Sequence, residues 1–377
     1  MAATAIRVDS IAAFERAEWD RCFSGEGESW DYYRACEESD IPDFDWHYFA
    51  VVEDGRLLAA VAAFRTCYRL DTTAQGTLKT ITDRLARLAP RLMALELLCL
   101  GSPVTESCRV GFAPDVPDRR REDLLRMLIW AFEEEAARLG IGLLGIKDAR
   151  EDDEWLWRRC LAGYGRMPGQ PGAELDLAGF ADLDEYLGSL SKATRKDMRR
   201  KLRAEHAIRI EYRRDIDDVL AQVGALYEAT ATRGDLRFEC LPPAYFANVL
   251  RQMRGRAWCV LYWLDADLVA FNLLLDGPGR VIDKFIGMRY DVARKYNLYF
   301  LSWMANVRHC IARRIPVYQS GQGLYAPKVR LGSRLLPQWQ YFRHRNRLIN
   351  AVLRLVCRFV RLDRSDPAIR ALLRSIK

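Results

Sequence analysis

A Gly/Pro-rich break at residues 163–172 (GYGRMPGQPG) has the same order of elements on both sides, which restricts the chain to a layered α/β architecture built twice. Before the break, Ser10–Cys22 has the spacing of an amphipathic helix, and a second short helix is expected near Ser29. WHYFAVVEDGRLLAAVAAFRTCY (46–68) reads as two strands joined at Asp54-Gly55, residues suited to the φ > 0 backbone of a tight hairpin. LELLCLG (95–101) is a strand. Arg119–Leu139 is a long helix behind Pro117-Asp118, and IGLLGIKD (141–148) is a short buried strand.

After the break, a basic helix (189–204) leads to a strand, AIRIEYR, then to helices over 215–233 and 243–254. Residues 257–290 read as three antiparallel strands, with turns at 265–267 and 277–279. A helix over 298–314 and the strand PVYQSG complete the unit. The expected fold is therefore a mixed α/β (α+β) chain of two similar units, 1–165 and 173–345, with a basic tail over 346–377.

The charge is unevenly placed. The net +7 divides into +6 over 192–203 and +8 over 343–377, which leaves an acidic remainder of −7. Two basic segments on an acidic body point to an anionic partner at those segments. The ten cysteines contain no CxxC pair and several sit in apolar runs, as expected of reduced structural thiols. His47, His206, His309 and His344 pair with nothing at metal spacing, so no metal site is expected. The uncharged apolar stretches, such as Leu57–Phe64 and Trp258–Leu264, are shorter than the roughly 20 residues of a membrane span. With no signal-peptide pattern visible at the start, the expected location is the cytoplasm, including the inner face of a membrane.

The element order resembles the GNAT acyltransferase fold in two tandem copies. SLSKATRKDMRRKLR (189–203) resembles the basic helix that opens the second domain of FemAB-like aminoacyltransferases and their CelD-type relatives. YQSGQGLYAPKVRLG (318–332) resembles that family's closing segment, a Gly-rich turn followed by an aromatic, a lysine and a glycine. The resemblance implies an acyltransferase that forms amides. The donor it implies is aminoacyl-tRNA or acyl-CoA, with no resident cofactor, and the acceptor bears an amine, with or without a phosphate. Acyl-CoA users carry a Gly-rich turn before a helix, which holds pyrophosphate on bare backbone amides. This chain has Arg294-Lys-Tyr-Asn297-Leu-Tyr299 there, and Arg119–Arg121 followed by no glycine in the first half. That favours aminoacyl-tRNA. The acyl-CoA enzyme is the alternative, and a non-catalytic module that binds an anionic polymer or lipid is the third reading.

Acyl transfer to an amine passes through a tetrahedral oxyanion that a fixed cation stabilises. By resemblance Lys328 is the candidate, the alternative being a surface lysine on the last strand. Asp283, in VIDKFIGMRY, is the candidate base, and Asp148 is its counterpart in the first half; a buried ion pair with Lys284 or a neighbouring arginine is the competing role. Tyr325 and Gln322 are placed at the donor, with Tyr325 either stacked on a base or packed in the core. Lys192, Arg195, Lys196, Arg199 and Arg203 fall on one helical face, where five cations repel one another unless an anion relieves them. Trp30 and Tyr32 are candidates for lining an acceptor pocket in the first unit, against packing. In the tail, Arg347, Arg354, Arg358 and Arg361 share one face of an amphipathic helix with Leu348, Val352, Leu355, Phe359 and Leu362 around the rest. Such a helix lies on an anionic membrane, grips RNA, or docks its apolar face on the body.

Overall fold

The computed structural model describes residues 2–69, 94–233, 238–360 and 366–375. The first sheet is built on β1 (Thr4–Val8), β2 (Asp45–Glu53), β3 (Arg56–Arg69), β4 (Ala94–Leu100), β5 (Gly111–Phe112), β6 (Leu143–Arg150) and β7 (Gly165–Pro168). The β2–β3 hairpin turns at Asp54-Gly55, whose φ values of 50° and 77° are the left-handed pair a two-residue turn needs. Between these strands lie α1 (Arg16–Cys22), α2 (Trp30–Glu37), α3 (Asp118–Arg138) and α4 (Glu154–Cys160). α3 buries Leu124, Leu125, Leu128, Phe132 and Ala136 against β2 and β3, a stripe at helical spacing. It also carries the chain across so that β6 lies parallel to β4.

The second sheet is built from β8 (Gly172–Asp176), β9 (Ile208–Arg213), β10 (Ala257–Leu264), β11 (Asp267–Gly277), β12 (Arg280–Met288), β13 (Val317–Gln319) and β14 (Arg334–Leu336). Its order is β14-β8-β13-β12-β11-β10-β9. The helices of this half are α5 (Leu183–Ser189), α6 (Lys192–Leu202), α7 (Leu220–Ala231), α8 (Pro243–Gln252), α9 (Tyr290–Tyr296), α10 (Leu298–Ala312) and α11 (Tyr325–Arg330). α10 is the crossover that sets β13 parallel to β12, as α3 does for β4 and β6. The parallel pairing of β12 and β13 ends at Ile282↔Gln319, and β12 runs on alone on that side. A bulge at Leu273/Leu274 of the β11–β12 ladder leaves Lys284 without a cross-strand partner.

The two sheets interlock. β15 (Gln338–His344) follows the second unit in sequence but inserts between β6 and β7, completing the first sheet as β1-β2-β3-β4-β6-β15-β7 with β5 on β3. The unit drawn from sequence over 173–345 therefore carries a strand of its neighbour's sheet. The break at 163–172 is likewise partly strand, since β7 and β8 sit either side of residues 169–171 and belong to different sheets. Ser10–Cys22 is a 3-10 turn at Ile11–Ala13 followed by α1, because Ser10 caps the turn and Phe14 leaves helical geometry. The chain ends in α12 (Arg347–Phe359) and α13 (Pro367–Ser375); Arg361 and Leu362 lie outside the described residues.

Candidate active site

Where β12 and β13 part, the chain leaves β13 through Ser320-Gly321-Gln322-Gly323-Leu324 and enters α11. Gly321 and Gly323 both have φ of 78° and Leu324 has 48°, so this turn depends on left-handed backbone. Lys328 lies on α11 rather than on a strand, since Pro327 suits a helical first turn and cannot donate to a ladder. The lysine is 4% exposed. Its Nζ donates to the carbonyl oxygens of Ser320 (2.5 Å), Gly321 (2.8 Å) and Gln322 (3.3 Å), which occupies its three N–H groups and clamps the turn. Burial pulls its pKa down to about 8, against the fields of Glu106 and Asp283.

Asp283 stands just beyond the last β12–β13 pair. Its Oδ2 accepts from the Tyr318 hydroxyl (2.7 Å) and from Asn306 Nδ2 (3.3 Å), and its Oδ1 accepts from Asn272 Nδ2 (2.8 Å). Burial raises its pKa to about 6, partly offset by the Tyr318 hydrogen bond and the charge of Lys328. The competing role of an ion pair with Lys284 does not occur. The bulge turns Lys284 away to Glu28 (2.5 Å) and the Val104 carbonyl (2.6 Å) of the first half.

Four buried polar atoms around this carboxylate have no protein partner: Asn272 Oδ1, Asn306 Oδ1 and the hydroxyls of Tyr262 and Tyr299. Both tyrosines are close enough for Asp283 to raise their pKa values further, after burial. This buried polar cluster, called the chamber for its position between the elements, draws on β10, β11, β12, β13 and α10. Its carboxylate and two amide oxygens only accept hydrogen bonds, which suits a protonated amine with three N–H donors. Sequence reasoning named Asp283 but missed Asn272, Asn306 and Tyr318. The available signal was a lone amide inside an apolar run, in AFNLLL and in WMANV.

The first half reaches the same place through Glu106. Its Oε2 accepts from Gln319 Nε2 (2.8 Å), and Oε1 would stand 2.8 Å from a Cβ on Gly321. A narrow cleft of only about 20 Å³ between the sheets is lined by Glu106, Arg150, Glu174, Gln319 and Gln338, among others. Gln322 borders this region, donating to Gln338 Oε1 (2.9 Å) and the Gln170 carbonyl (3.2 Å). Tyr325 is buried with Leu335, Ala368 and Ile369, so its ring packs in the core rather than facing a groove.

α6 starts at the Ser191 cap and buries Thr194 and Met198. Lys192, Lys196, Arg199 and Arg203 are exposed on the opposite side, with Arg195 half-buried and donating to the Gly188 carbonyl (2.8 Å). The stripe is thus an outward face, separate from the Asp283 chamber. The tie between the two regions is Asp197, which accepts from Arg200 (2.7 Å), from Lys201 (3.1 Å) and from Arg330 on α11. Burial opposes its ionisation, but those donors hold its carboxyl well below the usual range.

Trp30 and Tyr32 are both bonded into the packing of the first half and its joint with the second. The Trp30 indole donates to the carbonyls of Ile11 and Phe14 (3.0 Å each), and Tyr32 is buried between the halves, bonded to Val104 O (2.9 Å) and Tyr245 (2.7 Å). Between them Asp31 receives Arg16 and Arg256 (2.5 Å each), so this cluster joins the two units. Asp148 differs from its counterpart Asp283 in being paired with Lys147 (2.7 Å). At the position of an acyl-CoA pyrophosphate turn the chain forms α9, closed by left-handed Asn297, and α10 begins at the next residue. In the first half Arg120 is paired with Glu53 and Arg121 with Asp118. Among the described residues no group of three or more His, Cys, Asp or Glu side chains is placed to hold a metal ion.

Residues 192–328, from the first residue of α6 to Lys328, match the family described as an acetyltransferase (GNAT) domain. No curated protein matches the chain in sequence. Among solved structures, the crystal structure of FemX superposes with a TM-score of 0.60 at 12% identity, over 93% of this chain and 100% of that one. A tandem GNAT protein from the clavulanic acid biosynthesis pathway gives 0.53 at 12% identity, over 91% and 98%. The C-terminal domain of a putative lysylphosphatidylglycerol synthetase from Agrobacterium fabrum gives 0.52 at 14% identity, over 92% and 96%. Each likeness covers more than nine-tenths of this chain.

Proposed function

We propose that this acyltransferase of tandem GNAT fold joins an aminoacyl group to an amine, with the amine seated beside Asp283. The observation that carries the reading is a cluster of buried acceptors: an ionised Asp283 flanked by two amide oxygens that find no donor in the protein. An incoming ammonium would fill those acceptors. Asp283 then takes a proton, the freed nitrogen lone pair attacks the donor's carbonyl carbon, a C–N bond forms, and the donor's ester C–O bond breaks as the leaving oxygen collects a proton. Lys328 keeps the Gly-rich turn in place and supplies positive charge near the developing oxyanion.

The donor reading rests on two further features. The α6 stripe is an exposed cationic row, suited to nucleic-acid phosphate. The helix α9 stands where an acyl-CoA enzyme would have bare backbone amides. Native mass spectrometry with acetyl-CoA and, separately, with a charged tRNA pool tests the choice. Salt-sensitive tRNA binding, weakened by Arg195→Ala and by Lys196→Glu with Arg199→Glu, supports aminoacyl transfer. Binding of acetyl-CoA instead would overturn the donor assignment and leave an acyl-CoA N-acyltransferase. If Asp283→Ala left the biological function intact, the protein would be a binding module rather than an enzyme.

A further inference from the structure

The last long helix turns its apolar side outward. Asn350, Leu353 and Cys357 of α12 recur at i, i+3 and i+7 and form the side that meets the body. Asn350 Oδ1 accepts from the His344 backbone N–H (3.0 Å), and its Nδ2 donates to the Gly163 carbonyl (3.0 Å). Leu353 packs on the cluster of Phe64, Leu97, Cys99 and Leu143, while Cys357 is buried against Gly165. At 100° per residue, Leu348, Val352, Leu355 and Phe359 fall on the opposite side and Ile349 and Val356 along its edge, and all six are exposed, Leu348 by 81% and Phe359 by 71%. Docking of the apolar face on the body, one of the three sequence expectations for the tail, is therefore not what the helix does.

Charge selects the occupant. Arg347, Arg354 and Arg358 flank the apolar arc, Arg345 precedes the helix, and α12 contains no acidic residue. None of these four arginines has an acidic partner among the described residues. A second copy packed face to face would bring uncompensated arginines together along the seam. RNA would engage the arginines but leave six apolar side chains in water. An anionic bilayer takes both sets, with the apolar side chains below the headgroups and the guanidiniums among the phosphates. Thirteen residues at 1.5 Å each span roughly 20 Å, short of the roughly 30 Å hydrocarbon core, so the helix lies in the surface plane.

We propose that α12 is a membrane-surface anchor that seats this protein on an anionic bilayer. The test uses the full chain and flotation with vesicles of phosphatidylcholine, alone or mixed with phosphatidylglycerol. Mixed vesicles should carry the protein, with Val352→Glu/Phe359→Glu reducing partition by at least about tenfold. Arg347→Gln/Arg358→Gln should weaken it by about fivefold per arginine on the mixed vesicles only. Phe359→Trp, which leaves the fold untouched, should shift its emission to the blue on mixed vesicles and not in buffer. No flotation and no Phe359→Trp shift overturns the proposal. It is equally overturned if, without vesicle binding, sedimentation velocity shows a dimer that Val352→Glu/Phe359→Glu dissociates, or if tRNA binding is what Arg347→Gln/Arg358→Gln removes.

Discussion

At Asp283 stability and chemistry pull in opposite directions. The unfolded chain holds this carboxyl near 3.8, whereas burial raises it to about 6 in the folded state. The stabilisation from the neutral form is full below the unfolded value and is lost as pH rises through the folded one. Two pKa units correspond to about 3 kcal/mol, an upper figure for what the buried charge costs near neutrality. Asp283→Asn removes that charge, and the free Oδ1 atoms of Asn272 and Asn306 can receive the new amide. The variant should be about 1–3 kcal/mol more stable at neutral pH by urea titration, with the gain vanishing near pH 4, while single-turnover transfer falls by about 10²–10³. Unchanged stability at neutral pH would mean the carboxylate is not buried as described. In the parent enzyme kcat/KM should rise through about 6 as Asp283 ionises and fall through about 8 as Lys328 loses its proton. Lys328→Met should lose the upper limb and be destabilised by roughly 3 kcal/mol, because three backbone carbonyls lose their donor.

The elements around α11 show how the turn is held from both sides. Asp197 ties α6 to Arg330, and Glu106 of the first half presses against Gly321. Gly321→Ala meets two obstacles, a φ of 78° and a Cβ position 2.8 Å from Glu106 Oε1. We expect a loss of about 1–3 kcal/mol and a fall in kcat. Adding Glu106→Ala should relieve the contact but not the backbone strain, so recovery of about half the stability in the double variant is the expected outcome. Full recovery would assign the whole cost to the contact. Much of this region was legible in sequence because its signals are local: the cationic row on one face of α6, the Gly-rich turn, and Asp54-Gly55 as a hairpin. Lys328 was placed on a strand as an alternative because KVRLG alternates, although Pro327 two residues after Tyr325 already favoured a short helix. The chamber was not legible, because Asn272, Asp283, Asn306 and Tyr318 meet only once four elements are packed. The setting of Trp30 and Tyr32 was hidden for a related reason: an aromatic pair beside an acid reads as a pocket, and only the contacts with Arg256 and Tyr245 show a joint between units.

The molecule as a whole is held together by an exchange of strands that no local pattern announces. β15 pairs with β6 over Gln338–His344 and with β7 over Trp339–Phe342, yet it lies beyond the second unit in the chain. Without it, β6 would end the first sheet as an exposed apolar edge and β7 would have no partner. The same strand reaches the site through its first residue, since Gln338 Nε2 donates to the Glu106 carbonyl (2.8 Å) and its Oε1 accepts from Gln322. The two sheets therefore share one fate on unfolding, and the site depends on both. Two truncations separate this role from that of the tail. Ending the chain after Arg345 keeps β15 and removes α12 and α13; the protein should fold, lose vesicle binding, and retain transfer to a soluble acceptor with a modest cost from uncovering Tyr325. Ending it after Leu336 removes β15 as well, and should lower Tm by more than about 10 °C relative to the longer truncation or leave the chain insoluble. Equal melting temperatures for the two would show that the first sheet closes without its borrowed strand, and the coupling between sheets would have to come from side-chain contacts such as Asp31–Arg256, Glu28–Lys284 and Tyr32–Tyr245.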